Sequence, residues 1–257
     1  MEIIEVAFYI IFFISGLAVG SFLGVVAYRL PRKLSIVKPA SFCPNCKKKI
    51  PFYDNIPLLS FIILRGKCRY CKNKIPLTSL LIEIITGILF LANYIFFGLT
   101  VKTIAGILLC SVLIVISFID IDFKIIPNVI VLPFTLVGLI INIASDLRYW
   151  WMPLAYCAGA FLFMLIIHLI YPRGMGMGDV KLSLMIGAFL VKDVIAALFL
   201  GFLTGSIYGI SLVIIKRRRL KQAIPFGPFI SLGSIISLFW GYNILKWYIS
   251  FLPKNFG

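Results

Sequence analysis

Apolar runs of membrane-crossing length fall at about 6–28, 79–98, 102–120, 128–145, 151–171, 179–192, 194–215 and 228–250, each bounded by Pro, Gly or charge. Such runs predict about eight transmembrane helices. One polar stretch, residues 29–78, separates the first run from the second. The fold class predicted is therefore an all-α polytopic membrane protein with three parts: a first transmembrane helix at 1–28, a small inserted module at 29–78 and a membrane-embedded domain at 79–257. Glu2 and Glu5 stand where a secretory signal would be basic, and no cleavage site follows the first run, so a retained helix is expected there. No short internal repeat stands out at this level.

Composition agrees with the pattern: 61% of residues are hydrophobic and the mean hydropathy is +1.08, beyond the range of soluble domains. The net charge of +16 changes the picture only once it is mapped. Of the 25 Lys and Arg residues, twenty lie in one class of loop between the runs and five in the other. The positive-inside rule makes the rich side cytoplasmic. Both termini are then expected outside. The polar module, the loop after Asp120, the loop before Asp179 and the basic turn at 216–221 share the cytoplasmic face, where an anionic leaflet is the natural partner for the charge. No nucleic-acid motif interleaves the basic residues, so nucleic acid is not expected as a partner.

Against this apolar background two acidic spots carry candidate chemistry: Asp120-Ile121-Asp122, and Gly176-Met177-Gly178-Asp179. Carboxylates at membrane depth are costly and usually functional. The sixth run has fourteen residues, about 21 Å of helix against a hydrocarbon core of about 30 Å, so Asp179 is expected below the surface beside a polar pocket. Gly174, Gly176 and Gly178 suit a loop that needs positive φ or close approach. Asp120 and Asp122 point about 200° apart on a helix, so only one faces the interior. Two close carboxylates sharing one proton allow one to act as a base toward water while the other polarises a carbonyl. The plainer alternative is that these aspartates cap helices or pair with Lys124 and Lys181. A proton- or cation-coupled transporter and a non-enzymatic assembly scaffold are rival readings of the same carboxylates.

The polar module contributes Cys43-Pro44-Asn45-Cys46 and Cys68-Arg69-Tyr70-Cys71. Two CxxC pairs suit a tetrahedral Zn²⁺ in which Cys43, Cys46, Cys68 and Cys71 close the shell, making the metal structural. Disulfides are the alternative, disfavoured in a reducing cytosol. His168 is read as a hydrogen-bonded packing residue, and Cys110 and Cys157 as small core residues.

Further segments stand in order along the chain: Val19-Gly20-Ser21-Phe22-Leu23 with Tyr28-Arg29-Leu30-Pro31, the CxxC pairs around Asn55-Ile56-Pro57-Leu58-Leu59-Ser60, and Leu81-Ile82-Glu83. Then come Ile119-Asp120, Ile126-Pro127, Gly176-Met177-Gly178-Asp179-Val180-Lys181 and Pro225-Phe226-Gly227-Pro228-Phe229. Together they resemble the bacterial type IV prepilin peptidase family, the leader peptidase/N-methyltransferases of the GxGD-type intramembrane aspartic proteases. The resemblance implies an inner-membrane enzyme that cleaves the basic leader from prepilin or pseudopilin precursors at the cytoplasmic boundary. It implies Asp120 and Asp179 as the catalytic pair, with Gly176, Gly178 and Lys181 supporting the loop, and Asp122 as a neighbour. It also implies N-methylation of the new N-terminus with S-adenosylmethionine, for which Glu83, Asp54, Gly66 and Lys67 are candidate residues. Glu83 pairing with Arg29 and Asp54 capping a turn are the structural alternatives. Two positions depart from the family pattern: Arg173 stands where many relatives carry Glu, and Asn128 where relatives often carry Asp.

Overall fold

A computed structural model describes residues 2–38, 41–43, 45–172, 174–215 and 225–251. Arg173 and the basic turn at 216–221 lie outside the described residues. Among the described residues the chain is all-helical apart from two isolated β-bridges. The helices are α1 (Glu2–Arg29), the short α2 (Leu59–Ile63), α3 (Leu77–Phe97), α4 (Val101–Phe123), α5 (Asn128–Ser145), α6 (Trp151–Ile170), α7 (Met177–Leu190), α8 (Val194–Ile214) and α9 (Gly227–Ser250). Seven helical stretches among these residues are long and apolar enough to cross a membrane. The sequence expectation of about eight agrees with this once α7 and α8, which the tight turn Val191–Asp193 joins into the single apolar stretch Met177–Ile214, are taken as separate helices.

The helices group into two compact units, Met1–Val115 and Ile116–Gly257. In the first, α1 packs along α3. Small residues set the distance between them, as is usual where helices meet inside lipid. A methyl group on Gly16 would lie 2.7 Å from the Gly87 Cα, and one on Gly20 would lie 2.7 Å from the Glu83 Cα. This close crossing puts Glu83 against α1 rather than against lipid.

In the second unit α7 is the central helix. Ten of its fourteen residues are buried, including Asp179 near its start. It packs against α5, α6 and α9, and at Gly187 the α6 backbone comes so near that an added methyl would sit 2.8 Å from the Cys157 Cα. Both ends of α7 are pinned. The Asp179 carboxylate accepts the Gly176 N–H at its start. At the other end Asn142 of α5 donates to the Ala188 and Phe189 carbonyl oxygens at 2.9 and 3.1 Å, supplying partners for groups that have none within the helix. The pair α8 and α9 packs alongside.

Candidate active site

Asp120 occupies the last turn of α4 and is 6% exposed, whereas Asp122 is exposed. The interior aspartate is thus Asp120, in keeping with the helical spacing. Its Oδ2 accepts the backbone N–H of Gly227, the first residue of α9, at 2.9 Å. The contact spans 107 residues of sequence and brings the start of α9 onto the end of α4. A side chain at 227 would collide, since a Cβ there would lie 2.8 Å from that same oxygen.

Asp179 sits at the third position of α7 and is 7% exposed. Its Oδ2 accepts the Gly176 N–H at 3.1 Å, the carboxylate half of a capping box. Helix capping, the plainer of the two sequence readings, is therefore part of what Asp179 does. Its Oδ1 is buried and has no hydrogen-bond partner among the described residues. Capping does not explain that oxygen. A buried acceptor without a partner is rare and points to something that binds there. Asp120 and Asp179 lie within electrostatic reach of each other.

The loop between α4 and α5 meets the glycine loop in the same unit. Ile126 lies against Gly178, where an added Cβ would be 3.0 Å from the Ile126 Cβ, and Lys181 Nζ donates to Asn128 Oδ1 at 3.2 Å. Gly176 has φ −77°, and Gly66 and Gly98 are the only glycines with positive φ among the described residues. Gly174 and Gly178 therefore serve for space rather than for left-handed backbone, which corrects one of the two reasons given for them from sequence; at Gly176 an added Cβ would meet only ordinary contact, 3.5 Å from Asp179 Oδ2. The His168 ring Nδ1 is hydrogen-bonded to the Met175 carbonyl oxygen at 2.8 Å, tying the end of α6 to this loop. Its role there is structural, as read from sequence.

In the first unit the four cysteines gather so that their sulfur atoms lie within 4.8 Å of one another, a spacing able to hold a metal ion. Two equivalent hairpin turns build the cluster. Cys43 N–H donates to Lys48 O and Lys47 N–H to Cys43 O, both at 2.9 Å; Cys68 N–H donates to Asn73 O and Lys72 N–H to Cys68 O, at 2.8 and 3.0 Å. Lys47 and Lys72 share φ 58°, and the bridges Phe42 with Lys49 and Lys67 with Lys74 close the two turns. The correspondence exposes a repeat overlooked in the sequence, Cys-x-x-Cys-Lys-x-Lys-Ile-Pro at 43–51 and again at 68–76. The thiol of Cys71 is brought down to about 6 by the Asn73 N–H and then by the Asn45 amide, while that of Cys46 is pushed up to about 11, the lowering by the Lys48 N–H being outweighed by burial and the neighbouring thiols.

The candidates around the module divide. Arg69 grips Asp54 from two nitrogens, Nε to Oδ2 at 2.6 Å and Nη2 to Oδ1 at 2.5 Å, so Asp54 braces the second turn and does not cap one. That guanidinium holds the Asp54 carboxyl below the usual carboxylate range. Gly66, at φ +68°, lies under the Phe61 ring and accepts the Ile75 N–H at 2.8 Å; Lys67 forms the bridge noted above. Glu83 accepts the Leu58 N–H at 2.9 Å, while Arg29 donates to the Ser35 carbonyl oxygen at 3.0 Å. Leu58 itself has φ 61° and ψ −50°, with Leu59 N–H bonded to Pro57 O at 2.6 Å, a strained γ-turn that no sequence signal announced.

Residues 14–97 match the model of the bacterial peptidase A24 N-terminal domain and residues 107–210 that of the type IV leader peptidase family. A prepilin leader peptidase/N-methyltransferase of Bacillus subtilis is 37% identical over 93% of this chain and 97% of its own length. The chain belongs to the type IV leader peptidase family. Relatives bearing the same name in Legionella pneumophila and Pseudomonas aeruginosa are 33% and 32% identical, each over 95% of this chain and over 95% and 94% of their own. No solved structure matches the chain. The transporter and scaffold readings find no support in these relatives.

Proposed function

We propose that this member of the leader peptidase family is a membrane-embedded aspartic endopeptidase that cleaves the basic leader from prepilin-like precursors, with Asp120 and Asp179 as its catalytic pair. The observation that carries the assignment is the matched state of the two carboxylates. Each is buried in the same unit, each has one oxygen held by a backbone N–H at the start of a helix, and Asp179 keeps a second, buried oxygen without a partner. In cleavage the pair shares a proton. One carboxylate takes a proton from the attacking water while the other, protonated, donates to the peptide carbonyl; the proton then passes to the leaving amine.

The remaining features fill out the reading. Zn²⁺ is the metal assigned to Cys43, Cys46, Cys68 and Cys71. A tetrahedron with Zn–S of about 2.3 Å has edges of about 3.8 Å, and the Cys43 and Cys71 sulfur atoms are 3.8 Å apart. The chain also N-methylates the amine released by cleavage, for which S-adenosylmethionine supplies the activated methyl group when bound. The charge distribution supports an orientation with both termini outside the inner membrane and the carboxylates on its cytoplasmic side.

The test is co-expression with a pilin-like precursor. Asp120→Asn and Asp179→Asn are each expected to lower cleavage by at least about 100-fold at unchanged protein level; near-normal cleavage by either variant would sink the pair. Intact mass of the product reports methylation in the same experiment.

A further inference from the structure

The peptidase chemistry leaves one surface of the first unit unexplained. The short helix α2 turns its apolar side outward. On a helix Leu59, Ile62 and Ile63 share an arc of about 100°, and all three are exposed, Ile62 by 61% and Ile63 by 65%. Phe61 faces the opposite way, its ring against Gly66. The turn Phe52–Asn55 packs on α2 and adds Phe52, 86% exposed, and Tyr53, with Ile56 exposed between the two elements. Scattered singly, exposed apolar side chains need no explanation; six gathered within the stretch 52–63 mark an interaction surface.

Two hydrogen bonds set the depth of this surface. At one end of α2 the Leu58 N–H is held by Glu83, and at the other the Gly66 carbonyl oxygen accepts the Ile75 N–H at 2.8 Å. Both partners lie at the entry of α3, a helix of membrane-crossing length that begins at Leu77. From Leu77 to Glu83 is about 9 Å of helix. The helix α2 therefore runs beside the first two turns of a membrane span, where Leu77 and Leu81 are themselves exposed. Directly after α2 stand Arg65 and Lys67, both exposed. The stretch 29–78 carries twelve Lys and Arg residues against one acid, Asp54, which Arg69 already holds. An apolar face at the edge of the bilayer with cations beside it is the pattern of a segment lying in the interface, its basic side chains reaching anionic headgroups. The depth favours lipid over a precursor or a second copy of the chain as the occupant.

We propose that α2 and the turn before it form an interfacial anchor seated in the leaflet that α3 enters. Phe52, Leu59, Ile62 and Ile63 lie among the acyl chains, and Arg65 and Lys67 take the headgroups of anionic phospholipid. The anchor holds the cysteine module against the membrane. It requires neither the peptidase nor the methyltransferase reading.

The full-length protein is reconstituted in nanodiscs with a trace of phosphatidylglycerol or phosphatidylcholine bearing a diazirine in its acyl chain, irradiated, and mapped by mass spectrometry. Label in the tryptic peptide 50–65 is expected within about threefold of that in 75–102, which holds α3, and at least tenfold above that in the first cysteine turn, 45–49. Ile62→Gln with Ile63→Gln is expected to lower the 50–65 label at least fivefold. Arg65→Gln with Lys67→Gln is expected to abolish its preference, relative to 75–102, for the phosphatidylglycerol reagent. Hydrogen exchange of 45–49 and 68–74 at wild-type rates shows that a variant has kept the module's fold; where a variant fails that check, the wild-type labelling decides alone. Label in 50–65 no higher than in 45–49 overturns the proposal. So does protection of 52–63 by an added precursor without lipid label, or a cross-link between the 50–65 segments of two copies in its place. Equal labelling of the wild type by both lipids overturns the headgroup contact.

Discussion

Gly227 decides where Asp120 points. Its N–H holds one carboxylate oxygen, and its missing side chain leaves room for that oxygen. Gly227→Ala brings a methyl group to 2.8 Å of Oδ2, so the carboxylate must turn away. A displacement on the order of 1 Å at a reacting group costs about 100-fold. Precursor cleavage by this variant in proteoliposomes is expected to fall by about 10- to 100-fold while metal content and protein level hold; unchanged kcat/KM would show that the contact does not position Asp120. Gly227 lay in plain view within the segment 225–229, yet nothing in that segment says which carboxylate it meets 107 residues earlier. The two buried acids stood out in the sequence because carboxylates are rare in an apolar chain; their hydrogen-bond partners did not, because a backbone N–H carries no residue-type signal.

Among the elements, α7 shows how a short helix is held in place. Fourteen residues, capped by Asp179 at one end and by Asn142 from α5 at the other, make a central strut. Asn142→Leu leaves the Ala188 and Phe189 carbonyl oxygens without that donor, a loss of about 1–3 kcal/mol. The thermal midpoint in detergent is expected to fall by several degrees; an unmoved midpoint would mean the carbonyls find other donors. The cysteine turns act at the same scale. One metal per chain is expected by mass spectrometry of the native protein, and a chelator or Cys43→Ser is expected to remove it and open residues 41–76 to protease, because so small a module has little core of its own. Helix limits were readable from Pro, Gly and charge to within a few residues. The γ-turn at Leu58 was not, since a leucine is the wrong residue for positive φ and the Glu83 carboxylate that accepts its N–H lies 25 residues away.

At the scale of the whole molecule, the all-helical class follows from hydropathy alone, and the uneven split of Lys and Arg sets the orientation expected of it. A phosphatase fused after the C-terminus is expected to be active, and a fluorescent protein there dark; the opposite result would invert the topology. Hydropathy could not reveal that the two cysteine turns repeat each other, because nine residues at an offset of 25 leave no mark on a window wide enough to find membrane spans. That repetition also has a bearing on biosynthesis. Each turn brings two thiolates, half of what a closed metal shell takes, so the first must wait for the second to emerge. With the second turn trailing the first by 25 residues and a ribosome adding about 5–20 residues per second, the wait lasts about 1–5 s. Throughout it Cys43 and Cys46 stand open to oxidants and stray metals, behind a first helix already bound for the bilayer.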